Sequence, residues 1–276
     1  MNFTLKTLAA ALAATLATAV LADVTIGVTV SATGPGAALG AAQKNSTALM
    51  PATIAGEKIN WIVLDDTTDP SVASKNASKF ISEHKADVII GSSTTTNTAA
   101  IVDAVVEART PLVSLAPIEL PPAKDKWVFK MPQNNAVMGK ALIEHMKANG
   151  VKSLAFIGFG DVYGDLWLKA MTPMLEAAGI KLTAVERFNR TDTSVTGQTM
   201  KILAARPDGV LVVGGGTPAA LPHATLVERG YKGKIYQTHA AATRDLMRVG
   251  GKDVEGAFVV SGPAVIAEQL PDNHPS

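Results

Sequence analysis

Val88-Ile89-Ile90-Gly91-Ser92-Ser93-Thr94-Thr95-Thr96-Asn97-Thr98 decides how this chain is read. A short β-branched apolar run passes through one glycine into a row of hydroxyl and amide side chains. Ala99-Ala100-Ile101-Val102 then resumes with helical spacing. The order is strand, tight turn, helix, and the helix is expected over Thr98–Ala108. Capping a helix needs one hydroxyl or amide side chain, whereas Ser92 to Asn97 supply six in succession. Five more than a cap requires, set where the backbone N–H groups of a helix start are unpaired, make a neutral anion site suited to a carboxylate.

The same unit recurs along the chain. Strands are expected at Val24–Val30, Ile59–Leu64, Val88–Ile90 and Leu112–Ser114, and again at Ser153–Ile157, Leu182–Arg187, Val210–Val213, Ile235–Gln237 and Ala257–Val260. Helical spacing fills the intervals: Ala37–Met50, Val72–His84, Thr98–Ala108, Ala136–Asn149, Asp165–Ala178, Val195–Ala205, Pro218–Arg229 and Thr243–Val249. Strict alternation with nearly continuous apolar strands predicts an α/β fold with parallel sheets covered on both faces. The longest break in the rhythm, Ala116 to Gln133, holds Pro117, Pro121, Pro122 and Pro132, with Pro111 just upstream. Two lobes are therefore expected at 23–131 and 132–262, with 263–276 starting a return crossover. Four strands in the first lobe mean that it is small or that the chain shown is cut short at its C-terminus.

Composition removes many partners and chemistries. The 276 residues are 47% hydrophobic and 18% charged, with a mean hydropathy of +0.21, a balance that folds into about two domains. Lys plus Arg number 25 against 24 Asp plus Glu, so there is no summed field to hold nucleic acid or an anionic membrane. Cysteine is absent, which excludes disulfides, thiolate metal sites and cysteine nucleophiles. Residues 1–22 read as a signal peptide: a single charge at Lys6, an uncharged run from Leu8 to Leu21, and small residues at Val20 and Ala22. A cut after Ala22, or alternatively after Ala19, leaves a protein free in the periplasm, with no direct membrane insertion. An uncleaved anchor is the other reading of that segment.

The remaining motifs read more simply. Gly158-Phe-Gly160-Asp-Val-Tyr-Gly164 has its third glycine one residue too late for a dinucleotide fingerprint and reads as a tight strand-to-helix turn. Gly214-Gly215-Gly216-Thr217-Pro218 lacks the Lys-Ser/Thr pair of a phosphate loop; it is a bare loop that something approaches closely. Asp65-Asp66-Thr-Thr-Asp69-Pro70 gathers three carboxylates, but its spacing fits helix capping better than a cation. His84, His145, His223, His239 and His274 form no metal-ligand pair, and His84 and His145 are expected on solvated helix faces. No cofactor and no metal are implied, and no Gly-x-Ser-x-Gly elbow marks a hydrolase.

In order and spacing, these pieces resemble the type I periplasmic solute-binding proteins of the branched-chain amino acid (Leu/Ile/Val) class. The carriers are Ile26-Gly27 with Ser31-Ala-Thr-Gly34-Pro35, Asp65-Asp66 through Pro70, Val88 to Gly91, Pro111-Leu-Val-Ser114, Trp127-Val-Phe129-Lys130, Asp161-Val-Tyr163-Gly164 and Gly251 to Gly256. The resemblance implies a protein without catalysis. It implies two hinged, doubly wound parallel-sheet lobes that close on a solute and deliver it to an ABC permease in the inner membrane; the chain is expected to be a monomer. It places ligand contacts at Ser93, Thr94, Thr95 and Ala116 for a carboxylate and at Tyr163 from the far lobe, with Leu39, Asn135 and Thr217 around them. At the position where the class holds an acidic partner for an α-ammonium group this chain has His239, and near Ala116 it has Ile118 in place of a threonine. An enclosed ammonium without a carboxylate costs several kcal/mol, so the resemblance favours an aromatic or other organic acid over an amino acid. A histidine and hydroxyls there can donate to a second oxygen or a phenol. Two other roles stay open: the ligand-sensing domain of a receptor or regulator, and an exported hydrolase, for which no Ser–His–acid set can be assembled.

Overall fold

The computed structural model describes residues 23–275, so the signal-peptide reading of residues 1–22 lies outside the described residues. In chain order the first half contains β1 (Val24–Val30), α1 (Ala37–Thr47), β2 (Thr53–Ile54), β3 (Glu57–Asp65), α2 (Pro70–Ser82), β4 (Val88–Gly91), α3 (Thr95–Ala108), β5 (Leu112–Ser114), the short α4 (Pro122–Asp125) and β6 (Val128–Lys130). The second half contains α5 (Asn135–Ala148), β7 (Ser153–Phe159), α6 (Val162–Ala177), β8 (Lys181–Phe188), α7 (Thr196–Ala205), β9 (Gly209–Val213), α8 (Ala220–Glu228), β10 (Lys234–Gln237), α9 (Arg244–Gly250) and β11 (Phe258–Val259).

Two sheets form, ordered β2-β3-β1-β4-β5-β6 and β11-β10-β9-β7-β8. Every pairing is parallel except the β2–β3 edge. Strands covered by helices on both faces need apolar residues on both, and Val210 to Val213 are all fully buried for that reason. In the first lobe Ala73, Ala77 and Phe80 of α2 pack with Ile101, Val102 and Val105 of α3 over Ile89 and Leu112. In the second, Trp167 and Met171 of α6 join Leu154, Phe156, Val212 and Tyr236. α2 starts as its sequence dictates: the Asp69 carboxylate accepts from the N–H groups of Ser71 and Val72, with Pro70 in the first turn.

The first sheet has six strands where the apolar pattern predicts four. β2 is two exposed residues, and in β6 only Val128 is buried, so neither edge strand carries a periodic signal. His145 is only partly solvated: its ring lies 4.3 Å from that of Phe258 and 5.7 Å from that of Tyr236. All parallel strands of a sheet end on one side, and the loops there define where a solute can sit.

Candidate functional site

Asp66, at the end of β3, organises the first lobe's half of the site. Its fully buried carboxylate accepts from Ser31 Oγ (2.6 Å), Thr29 Oγ1 (3.3 Å), Asn97 Nδ2 (2.8 Å), the Thr68 N–H (3.1 Å) and Ser92 Oγ. These donors come from β1, the turn after β3, the turn after β4 and the first turn of α3, so one anion ties four segments together. Gly91 makes the approach possible. With φ +140°, a Cβ there would lie 2.2 Å from the Thr29 carbonyl oxygen.

The hydroxyl row is therefore divided in its tasks. Ser92 and Asn97 face Asp66, while Ser93, Thr94 and Thr95 line a cavity. The helix begins at Thr95, not at Thr98, because Thr94 is extended (φ −121°, ψ 149°) and its hydroxyl accepts from the Asn97 N–H at 3.3 Å. Three residues expected in a loop are thus the first turn of α3. The N–H groups of Thr95 and Thr96 have no hydrogen-bond partner among the described residues, as the first turn of a helix requires. Thr94 keeps its own O–H proton free to donate. Thr95 does not, since its hydroxyl donates to the Pro117 carbonyl at 2.9 Å.

The cavity, about 130 Å³, lies between the strand ends of the two sheets. From the first lobe come Leu39 and Gln43 of α1, the three hydroxyl residues, and Leu115 to Pro117; from the second come Phe159, Tyr163, Arg190, Gly215, His239 and Ala240. Seven residues expected at the site are brought together here: Leu39, Ser93, Thr94, Thr95, Ala116, Tyr163 and His239. Asn135 is not among the lining; it is buried at the start of α5. Thr217 lines a shallower hollow of about 560 Å³ on the rim, with Gly34, Pro35 and Arg190. Both spaces are lined from the two lobes, but the smaller one gathers Ser93, Thr94 and Thr95 opposite Tyr163 and His239.

Gln43 and Arg190 went unread in the sequence. Gln43 sits four residues after Leu39, a spacing that does place it on the same helix face. Its Oε1 accepts from Ser93 Oγ. Arg190 follows β8 with no local signal. Its Nε donates to Asp161 Oδ2 at 2.8 Å and its guanidinium lies 4.0 Å from the centroid of the Phe159 ring. Asp161 also caps α6, accepting from the N–H groups of Tyr163 and Gly164.

The rest of the second-lobe wall is polar but uncharged. Thr238 Oγ1 donates to the Gly214 carbonyl at 3.1 Å, so the Tyr163 hydroxyl, 2.8 Å away, donates to Thr238. Burial pushes the Tyr163 phenol up to about 12 and His239 down to about 4. Both are neutral at physiological pH. No Asp or Glu lines the cavity.

A pH prediction follows from the histidines. Burial also holds His223 at about 4, while in the unfolded chain both it and His239 protonate near 6.5. Between those values the unfolded state binds more protons, so the stability contributed by keeping both rings neutral is complete above about pH 6.5 and is lost as pH falls toward 4. Thermal melts should stay level from pH 7 to 9 and drop steadily from pH 6.5 to 4.5. A melting temperature that rises on acidification would contradict the burial of these rings.

The bare glycine loop meets the other lobe. A Cβ on Gly216 would lie 3.4 Å from Ala38 Cβ, and one on Gly215 would lie 3.0 Å from Ala240 Cβ and 3.8 Å from Leu39 Cδ1. What approaches this backbone is α1. Gly215→Val overfills that seam at a cost of about 1–3 kcal/mol to the closed arrangement. Solute affinity should fall by about 10-fold or more, and the melting temperature of the unliganded protein should fall as well, because the tightest neighbour, Ala240, belongs to the same lobe. Unchanged affinity in calorimetry would mean that the lobes do not close along this line.

Comparison with known proteins agrees with this architecture. The profile of the family described as periplasmic binding protein matches residues 23–274. The chain belongs to that family. Members of this family are solute-binding proteins rather than enzymes. This periplasmic binding protein is 48% identical to an extracellular ligand-binding receptor from Rhodopseudomonas palustris, whose structure superposes with a TM-score of 0.89 over 91% of this chain and 70% of that one. It is 26% identical over 234 residues to an amino acid binding protein of Pseudomonas aeruginosa, a match covering 81% of this chain and 61% of the relative's length. It also shares its fold with an ABC transporter solute binding protein from R. palustris solved with 4-hydroxybenzoate (TM-score 0.76, 20% identity, 84% of this chain and 66% of that one). Among the described residues, no helix of the periplasmic binding protein is long and apolar enough to cross a membrane.

Proposed function

We propose that this chain captures a small carboxylate that carries no ammonium group and presents it to the permease of an ABC importer. The observation that carries the reading is the cavity lining: hydrogen-bond donors for an anion and no acidic side chain, with the one charged lining group, Arg190, balanced by Asp161 behind it. The solute's carboxylate takes the Thr94 hydroxyl and the unpaired N–H groups of Thr95 and Thr96. Leu39, Phe159 and Tyr163 cover its apolar body, and Arg190, paired with Asp161, adds N–H donors rather than net charge. An α-amino acid enclosed here would leave its ammonium without a partner, a penalty of several kcal/mol.

The magnitudes are adequate. Capture at micromolar concentration needs about −8 kcal/mol. Charge-assisted hydrogen bonds of about 1.5–3 kcal/mol each, with burial of one ring or short branched chain, reach that order after the cost of closing the lobes. The relatives' names include both an amino acid and an aromatic acid as solute, so the fold accepts either and the choice rests on this chain's own lining. The test is a thermal-shift screen of the purified protein against amino acids, aromatic acids and dicarboxylates. Stabilisation by simple carboxylic acids is expected; stabilisation by leucine or valine and by no simple acid would refute the reading.

A further inference from the structure

We propose that His239 selects the far end of the solute, requiring there a neutral group that both donates and accepts a hydrogen bond, such as a ring hydroxyl. The inference rests on the carboxylate reading above and adds the chemistry of the opposite end. His239 follows β10 and stands on the second-lobe wall of the cavity, across from Thr94 and Thr95 on the first-lobe wall. Its ring lies 5.9 Å from that of Trp167 and 6.4 Å from that of Tyr163, centroid to centroid.

Among the described residues neither ring nitrogen has a hydrogen-bond partner; Nδ1 is sealed off, so the nitrogen left for a solute to reach is Nε2. The Tyr163 hydroxyl donates to Thr238 and the Thr238 hydroxyl to the Gly214 carbonyl, so neither gives its proton to the imidazole. A neutral imidazole offers one N–H and one lone pair and no charge. A hydroxyl on the solute meets whichever of the two Nε2 presents. A methyl group leaves the ring unpaired, and a second carboxylate gains no ion pair from it. The space fits one such body: about 130 Å³, close to the roughly 150 Å³ of an apolar cavity that accepts a single benzene.

The experiment is isothermal titration calorimetry on the full chain with pairs of acids that differ only at the far end: 4-hydroxybenzoate against 4-methylbenzoate, and 5-hydroxypentanoate against hexanoate, which needs no ring. The native protein should bind the hydroxy acid at least about 10-fold more tightly in the pair that fits. In His239→Leu the preference should vanish or invert while the methyl acid still binds. The comparison of solutes on the native protein stands even if that variant folds poorly, and His239→Phe provides a second one. Equal affinities within a pair, or a preference that survives both substitutions, would overturn the role of His239 and leave the carboxylate reading intact. Tightest binding of terephthalate would overturn it too, by assigning the far end to Arg190. Binding of leucine with none of the acids would instead sink the carboxylate reading itself.

Discussion

Asp66→Ala should melt about 10 °C below the native protein. The substitution strands the hydroxyls of Thr29, Ser31 and Ser92, the Asn97 amide and the Thr68 N–H in an interior that water does not reach. Each unsatisfied buried donor costs about 1–3 kcal/mol, but the costs do not add, because released side chains find one another. A net loss of about 3–5 kcal/mol is expected, at roughly 2–4 °C per kcal/mol for a chain of this size. Scanning calorimetry measures it directly. A fall of less than about 2 °C would show that these five groups can be satisfied without the anion.

Thr94→Val should weaken solute binding by about 10- to 100-fold. That is the range given by one charge-assisted hydrogen bond of about 1.5–3 kcal/mol, at 1.4 kcal/mol per factor of ten. The variant also loses the cap that holds the Asn97 N–H, worth about 1 kcal/mol of stability. Thr95→Val should cost less than about 5-fold, because its hydroxyl proton is already spent on the Pro117 carbonyl and its backbone N–H survives the substitution. Titration of both variants separates the two positions. Equal losses at Thr94 and Thr95 would mean that the hydroxyls and not the helix start hold the anion.

That asymmetry marks where the sequence stops being informative. A row of hydroxyl residues is legible as a binding feature, but its residues are poor helix formers and compete with the backbone for hydrogen bonds, so the row reads as loop when half of it is helix. β4, β7 and β9 are legible because they are apolar on both faces. β2 and β6 are not, since an edge strand with one buried residue or none has no pattern to detect. Among the three clustered acids, Asp69 is a cap as its proline neighbour indicates, whereas the role of Asp66 depends on Thr29, Ser31, Ser92 and Asn97, up to 37 positions away. Arg190 is invisible for the same reason: its partners Asp161 and Phe159 belong to the strand-to-helix turn that precedes it by about 30 residues.

Leucine and 4-methylpentanoate share one carbon skeleton and differ only in the α-ammonium group, so titrating both into the purified protein puts the question most directly. A cavity with donors for a carboxylate and no acid to pair an ammonium should bind 4-methylpentanoate at least about 100-fold more tightly than leucine. Tighter binding of leucine would contradict it.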